Sequence, residues 1–262
     1  MSVELPKGIR VFHDTETEAL IDQRMDEWLD LSPRSPGLHA SDLLDPLHSY
    51  WDREHPVPRD RVDTDRFFTG KLGEVALVNM LDGDRDEEGN RIVNPWAGGA
   101  QLTSEEFGLE YAPDYTFKET GIPCEIKTHR GKEPHTTLED IRYWVEQCMV
   151  YCAMMGRNDY VLLIYYLCAQ PGGKGPVISF RRPIRLWFPD DQLEPLKKHI
   201  KELIFHVKHC YEHKTPQHLT LCREWKCGEK MCKHWEVCKP EGRYGRKYMD
   251  WLPPDDKEMF EP

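Results

Sequence analysis

The 262-residue chain contains no run of about 18 apolar residues, the length a membrane-spanning helix needs. Its opening residues, MSVELPKGIR, lack the apolar stretch of a secretory leader. These two absences set the expectation of a cytoplasmic protein with no membrane partner. In that compartment the nine cysteines are expected as thiols or metal ligands rather than as disulfides. No G-x-x-x-x-G-K-[S/T] loop is present, so any helicase or recombination partner is expected as a separate chain. There is no internal repeat and no low-complexity tract. Positive charge is also short: 35 Lys+Arg stand against 46 Asp+Glu, a net charge of −11. Taken alone, that balance argues against a nucleic-acid binder.

The charge is not evenly spread. Residues 1–90 hold 10 basic and 21 acidic residues, whereas residues 196–248 hold 13 basic and 6 acidic. The basic stretch also contains His199, His206, His209, His213, His218 and His234. A positive segment inside an acidic protein is a candidate surface for a DNA backbone. A solvated helix face plus an exposed loop is the plainer reading.

Apolar periodicity predicts helices over 15–31, from Ser41 to about Trp51, and over 64–81, 138–156 and 193–211. Leu20, Ile21, Met25, Trp28 and Leu29 share a face of the first, and Ser41 is the expected cap of the second. Short extended runs are expected near 91–94, 100–103, 107–117 and 122–128. Tyr160 to Cys168 is continuously apolar, as a buried central strand is, and 177–188 is a further extended run. Helices, then strands, one helix and more strands predict an α/β fold.

The most informative stretch is Tyr111-Ala-Pro-Asp-Tyr-Thr-Phe-Lys-Glu-Thr-Gly-Ile-Pro-Cys-Glu-Ile-Lys-Thr128. It reads as a hairpin with a strand through Asp114, a turn at 119–121 and a strand through Glu125 and Lys127. Side chains alternate across a strand, so Glu125 and Lys127 share one face while Ile122, Cys124 and Ile126 take the other. Asp114 and Glu125 together make a hard-oxygen pair suited to Mg²⁺ or Mn²⁺. Lys127 beside them is placed to orient or help deprotonate an attacking water and to stabilise charge on a phosphate. Gly70-Lys-Leu-Gly-Glu74 adds a carboxylate on a helix whose glycines permit close packing. Gln147 and Tyr151, at i and i+4, point the same way from the long helix. Any one of these features is weak; their order on helix, strand, strand and helix is the signal.

That ordered set resembles the PD-(D/E)XK nuclease superfamily, and within it the RecB-like exonucleases. The resemblance covers residues 64–156 well and residues 1–60 weakly. It implies a restriction-endonuclease-like mixed sheet flanked by helices. It implies that Glu74, Asp114, Glu125 and the Ile126 backbone carbonyl bind divalent metal, with Lys127 as the catalytic lysine. Gln147 and Tyr151 become active-site or DNA-contacting residues, and His129 is a weaker candidate contact. The implied reaction is metal-dependent hydrolysis of DNA phosphodiesters by an exonuclease, in recombination, repair or CRISPR-type DNA processing. The implied partner is DNA with a free end or in single-stranded form.

Cys222, Cys227, Cys232 and Cys238 fall within 17 positions, which points to a metal centre. Zinc and iron–sulfur both accept four thiolates. Within the resembled family, AddB-type and CRISPR-associated exonucleases close a [4Fe–4S] cluster with one upstream and three C-terminal cysteines, and Cys232-x₅-Cys238 is similar to that pattern. The chain departs from it upstream, where Asp45-Pro46 stands in place of Cys-Pro. Either Cys222 or Asp45 is then the fourth ligand, or the metal is zinc. Cys124, Cys148, Cys152, Cys168 and Cys210 are expected as core thiols.

The expected organisation is one integrated domain with three parts. Residues 1–60 are an N-terminal helical part, 61–190 the nuclease core, and 191–262 a helix with a four-cysteine metal-bound cap. The competing expectations are a non-catalytic nucleic-acid-binding metalloprotein that uses the basic cysteine-rich segment, and a structural partner subunit.

Overall fold

The computed structural model describes residues 15–30, 37–58, 61–90, 92, 94, 98–99, 101–131, 138–168, 178–219 and 232–238. Its helices are α1 (Thr15–Asp30), α2 (Pro46–Glu54), α3 (Arg61–Asp82), α4 (Leu138–Met155), α5 (Asp190–Glu212) and the single turn α6 (Trp235–Cys238). Its strands are β1 (Leu102–Ser104), β2 (Leu109–Tyr111), β3 (Tyr115–Thr116), β4 (Pro123–Gly131), β5 (Asp159–Cys168) and β6 (Ile178–Trp187).

Four strands form one sheet in the order β3-β4-β5-β6, and β1 and β2 form a separate antiparallel pair. β4 and β5 run parallel, while β3 and β6 run antiparallel to their neighbours. Parallel neighbours cannot be joined by a tight turn, and α4 supplies the crossover. The chain is therefore α/β, with a mixed sheet and flanking helices. β5 lies inside the sheet, and its Tyr160, Leu162, Ile164 and Tyr166 are wholly buried.

Alternation along β4 and β5 assigns the two faces. Cys124, Ile126 and Leu163 pack with Val75, Leu77 and Val78 of α3. Glu125 and Lys127 pair in register with Leu162 and Ile164, whose side chains join the larger core under α4 and α5. α3 lies close on β4: a Cβ at Gly73 would meet Thr128 Cγ2 at 2.6 Å. The larger core also takes in Leu43, Leu44, Leu47 and Tyr50, and the Tyr211 hydroxyl of α5 donates to the Pro46 carbonyl at 2.9 Å.

Three local expectations are corrected. Ser41 does not cap a helix reaching Trp51; residues 40–43 make a 3-10 turn and α2 begins at Pro46. A proline disfavours helical backbone at the residue before it and suits the first helical position. Leu20, grouped with Ile21, Met25, Trp28 and Leu29 on the apolar face of the first helix, is 53% exposed. Near 91–94 the described residues, Ile92 and Asn94, are not in a strand. Asn79 of α3 takes the backbone of Asn94 instead, with Nδ2 donating to its carbonyl (2.8 Å) and Oδ1 accepting from its N–H (2.6 Å).

Candidate active site

The β3–β4 hairpin brings Asp114 beside Glu125. The Phe117 carbonyl accepts from Gly121 N–H at 2.7 Å, and the Phe117 N–H donates to Ile122 O at 2.9 Å. Gly121 has φ 64°, a left-handed conformation that glycine takes without a Cβ clash. Asp114 sits one residue before β3, and its Oδ2 accepts from the Ile126 backbone N–H at 2.6 Å. That bond fixes the carboxylate against the strand carrying Glu125.

Glu125 is 2% exposed, unusual for a carboxylate unless it is paired. Its Oε1 accepts from Lys127 Nζ and from Gln147 Nε2, the latter at 2.7 Å. Its Oε2 is buried and accepts no hydrogen bond among the described residues. Gln147 also donates to the Tyr151 hydroxyl at 3.0 Å, as their shared helix face requires. Tyr151 is boxed by the rings of Tyr111 (5.9 Å) and Tyr160 (6.0 Å).

Glu74 approaches from α3, where Lys71 Nζ donates to its Oε1 at 2.5 Å. Segment 98–99 closes over this corner. A Cβ at Gly98 would meet Glu74 Oε1 at 3.0 Å, and one at Gly99 would overlap the Pro113 carbonyl. A cavity of about 310 Å³ opens beside it, lined by Gly98, Gly99, Pro113, Asp114, Asp82 and Asn94 among others.

The electrostatics follow from crowding like charges in a poorly solvated place. Burial raises the Asp114 pKa well above the ordinary carboxylate value; Glu125 and Glu74 add to the rise, while Lys127 and the Ile126 N–H oppose it. Burial likewise raises Glu125, partly offset by Lys127 and Gln147. Burial alone would discharge Lys127, but Glu125 and Asp114 outweigh it and hold its pKa above the ordinary lysine value. Burial pushes the Cys124 and Cys152 thiols up to about 12, and Cys148 is also raised. These buried thiols, with Cys210, are core residues, as expected; nothing is described of the Cys168 side chain.

Glu74, Asp114, Glu125, Lys127, Gln147 and Tyr151 are thus linked by hydrogen bonds or by mutual electrostatic influence. The three carboxylates are not tightly converged. Among the described residues, the group of three whose ligand atoms all lie within 4.8 Å of one another is His48, Asp52 and His234. Each carboxylate is turned toward another partner: Glu74 toward Lys71, Asp114 toward Ile126, Glu125 toward Lys127 and Gln147. His129 packs edge-on against the Tyr166 ring at 5.4 Å.

Lys71 was not anticipated, although its i,i+3 spacing to Glu74 was the available signal. The chain also carries the H-x-x-E-H spacing at His209, Glu212 and His213. All three are exposed at the C-terminal end of α5, and the two rings lie tilted with centroids 4.1 Å apart and His213 Nδ1 at the His209 carbonyl (2.9 Å). Of the clustered cysteines, Cys222 and Cys227 lie outside the described residues. Cys232 and Cys238 are half-buried and not in a disulfide. Asp45, the alternative ligand, is buried at the start of α2.

No protein-family profile matches the chain, and neither does any curated protein. Among solved structures, a crystal structure of SSO0001 is similar over 87% of this chain and 98% of that one, at 14% identity and a TM-score of 0.48.

Proposed function

We propose that the protein is a divalent-metal-dependent deoxyribonuclease, an exonuclease hydrolysing DNA phosphodiesters, with a restriction-endonuclease-like core. One observation carries the reading: a buried carboxylate, Glu125, shares a single oxygen with Lys127 and Gln147 while its other oxygen has no hydrogen-bond partner among the described residues. A buried acceptor without a donor is costly, and a hard cation satisfies it.

The donor set fits Mg²⁺ or Mn²⁺. Asp114, Glu125, the Ile126 carbonyl and Glu74 would hold the ion, and all are oxygen ligands. Burial, with the neighbouring carboxylates adding to it, raises the pKa values of Asp114 and Glu125, and a bound cation would lower both. When bound, the metal supplies charge neutralisation at the phosphate and a more acidic water.

The protein's own groups take the remaining roles. Lys127 is held charged by Glu125 and Asp114, so it serves as a cation that orients water and faces the phosphate, not as a proton acceptor. Gln147 keeps Glu125 in one rotamer, and Tyr151 buttresses Gln147. The Ile126 N–H holds the Asp114 carboxylate against the strand that carries Glu125.

The reading extends to a [4Fe–4S] cluster, or zinc, at Cys222, Cys227, Cys232 and Cys238. Half-buried cysteines at both ends of segment 232–238, neither in a disulfide, support it. Iron and sulfide analysis of anaerobically prepared protein distinguishes the two metals.

The functional test uses 5′- and 3′-end-labelled single- and double-stranded DNA with Mg²⁺ or Mn²⁺. Wild-type protein degrades DNA only with metal, and Lys127→Ala and Glu125→Gln each lose about 10²-fold or more in rate. Cleavage retained in both variants overturns the assignment. Binding without cleavage by the wild type transfers the function to the basic cysteine-rich segment as a non-catalytic nucleic-acid-binding module.

A further inference from the structure

We infer that His48, Asp52 and His234 form a second metal site, for a divalent ion of the zinc type, that fastens residues 232–238 to α2. The three side chains come from two segments far apart in the chain; His234 and Asp52 are 182 residues apart in sequence. They nonetheless present one ligand atom each, all within 4.8 Å of one another.

Local structure aims each ligand. His48 and Asp52 are i and i+4 on α2, so they project from one face, with Nδ1 and Oδ2 3.1 Å apart. His234 immediately precedes the helical turn α6, and its carbonyl accepts from the N–H groups of Val237 (3.2 Å) and Cys238 (2.9 Å). Its side chain is 1% exposed, and Nε2 lies 2.6 Å from Asp52 Oδ1. The His48 and His234 rings meet edge-on at 5.2 Å.

Two observations point to a ligand rather than to a simple ion pair. The first is composition: two imidazoles and a carboxylate are the borderline donors that zinc-type ions prefer, with a fourth position left for water. The second is burial and aim: the His234 ring is 1% exposed, and the nitrogen it turns on Asp52 is Nε2, so a neutral imidazole that gives up this proton presents a buried lone pair to the centre of the triad.

One group competes with the metal. Lys233 Nζ lies 2.7 Å from Asp52 Oδ1 and neutralises the carboxylate. Its side chain is about a third exposed, so the ammonium can swing into water when the ion enters. A link between distant segments restricts the unfolded chain strongly, which is where such a clip gains its stabilising effect.

The experiment uses the full chain, stripped with chelator and titrated with Co²⁺, then with Zn²⁺ in competition. Thiolate-bound Co²⁺ shows intense sulfur-to-metal charge transfer, whereas a site of imidazole and carboxylate shows only ligand-field bands. Beyond any Co²⁺ held by the Asp114 and Glu125 carboxylates, wild-type protein takes up one Co²⁺ without a thiolate signature, and Zn²⁺ displaces it. His48→Gln and His234→Gln each lose that equivalent and leave any cysteine-bound metal in place. His48 is partly exposed on α2, so its variant keeps the test usable if the His234 variant misfolds. Equal uptake by wild type and His48→Gln overturns the proposal, and so does absence of a thiolate-free site in the wild type. The readout is metal binding, so it stands whether or not the protein cleaves DNA.

Discussion

The side-chain amide of Gln147 spends both of its hydrogens inside the site, one on Glu125 Oε1 at 2.7 Å and one on the Tyr151 hydroxyl at 3.0 Å. It joins α4 to β4 at the point where a carboxylate is buried. Gln147 is therefore a positioning residue for Glu125. Gln147→Leu keeps the apolar volume, removes both donors and frees the Glu125 rotamer. Its expected effect is a loss of about 10–100-fold in metal affinity or activity, by analogy with other residues that orient metal ligands. Titration of Mn²⁺ against activity checks it, and an unchanged titration curve contradicts it.

Acid–base linkage in the metal-free protein has a definite sign. Asp114 and Glu125 have raised pKa values in the folded state. The folded state thus holds protons that the unfolded chain releases above about pH 4. Their contribution to stability is fully present below the unfolded pKa and declines as pH rises through the folded values. Urea melts at about pH 5 and about pH 8 should show this decline in chelator and its relief by Mg²⁺. In Asp114→Asn the decline shrinks and the response to Mg²⁺ disappears. A slope identical to wild type counts against the carboxylate pair as its source.

Lys127 is held charged by its carboxylate neighbours, above the ordinary lysine value. No lysine deprotonation is then expected in the pH–rate profile of the metal-loaded protein below about pH 9. A rate that rises with loss of a proton from Lys127, and that becomes pH-independent in Lys127→Arg, would make the lysine a base.

Two glycines three residues apart on α3 give opposite stability outcomes. A Cβ at Gly70 finds Thr128 Oγ1 at an ordinary 3.8 Å, so Gly70→Ala should stabilise by up to about 1 kcal/mol through helix propensity. A Cβ at Gly73 meets Thr128 Cγ2 at 2.6 Å. Gly73→Ala should therefore destabilise by about 1–3 kcal/mol, as α3 is pushed from β4. Thermal melts of the two variants decide it, and stabilisation by both would show that α3 is not held by this close approach.

A substitution in the larger core sets the scale for these effects. Leu162 is wholly buried beside Glu125 in the sheet, and Leu162→Ala should cost about 2–5 kcal/mol. A cost below about 1 kcal/mol, measured by denaturant unfolding, would mean that β5 is not the centre of the packed sheet.

Much of the fold was legible because its signals are periodic. β5 announced itself by an unbroken apolar run, and α4 by apolar spacing that also aligned Gln147 with Tyr151. The β3–β4 hairpin was legible from Gly121 and from alternation around Glu125. The start of α2 was misplaced because a serine cap signal competed with Pro46, and backbone sterics decided in favour of the proline. The run near 91–94 has strand-like composition, yet an amide on α3 satisfies its backbone at Asn94.

Local pattern in this chain determined the α/β order, the alternation that puts Glu125 and Lys127 on one face, and the i,i+4 pairing on α4. Those properties depend only on the period of a helix or a strand. Tertiary structure alone decided which face of β4 lies under α4, and that Glu125 is buried with one oxygen unpartnered among the described residues. It alone set His234 against His48 and Asp52. Such contacts join segments remote in sequence, so they depend on how the layers pack, which no local period encodes.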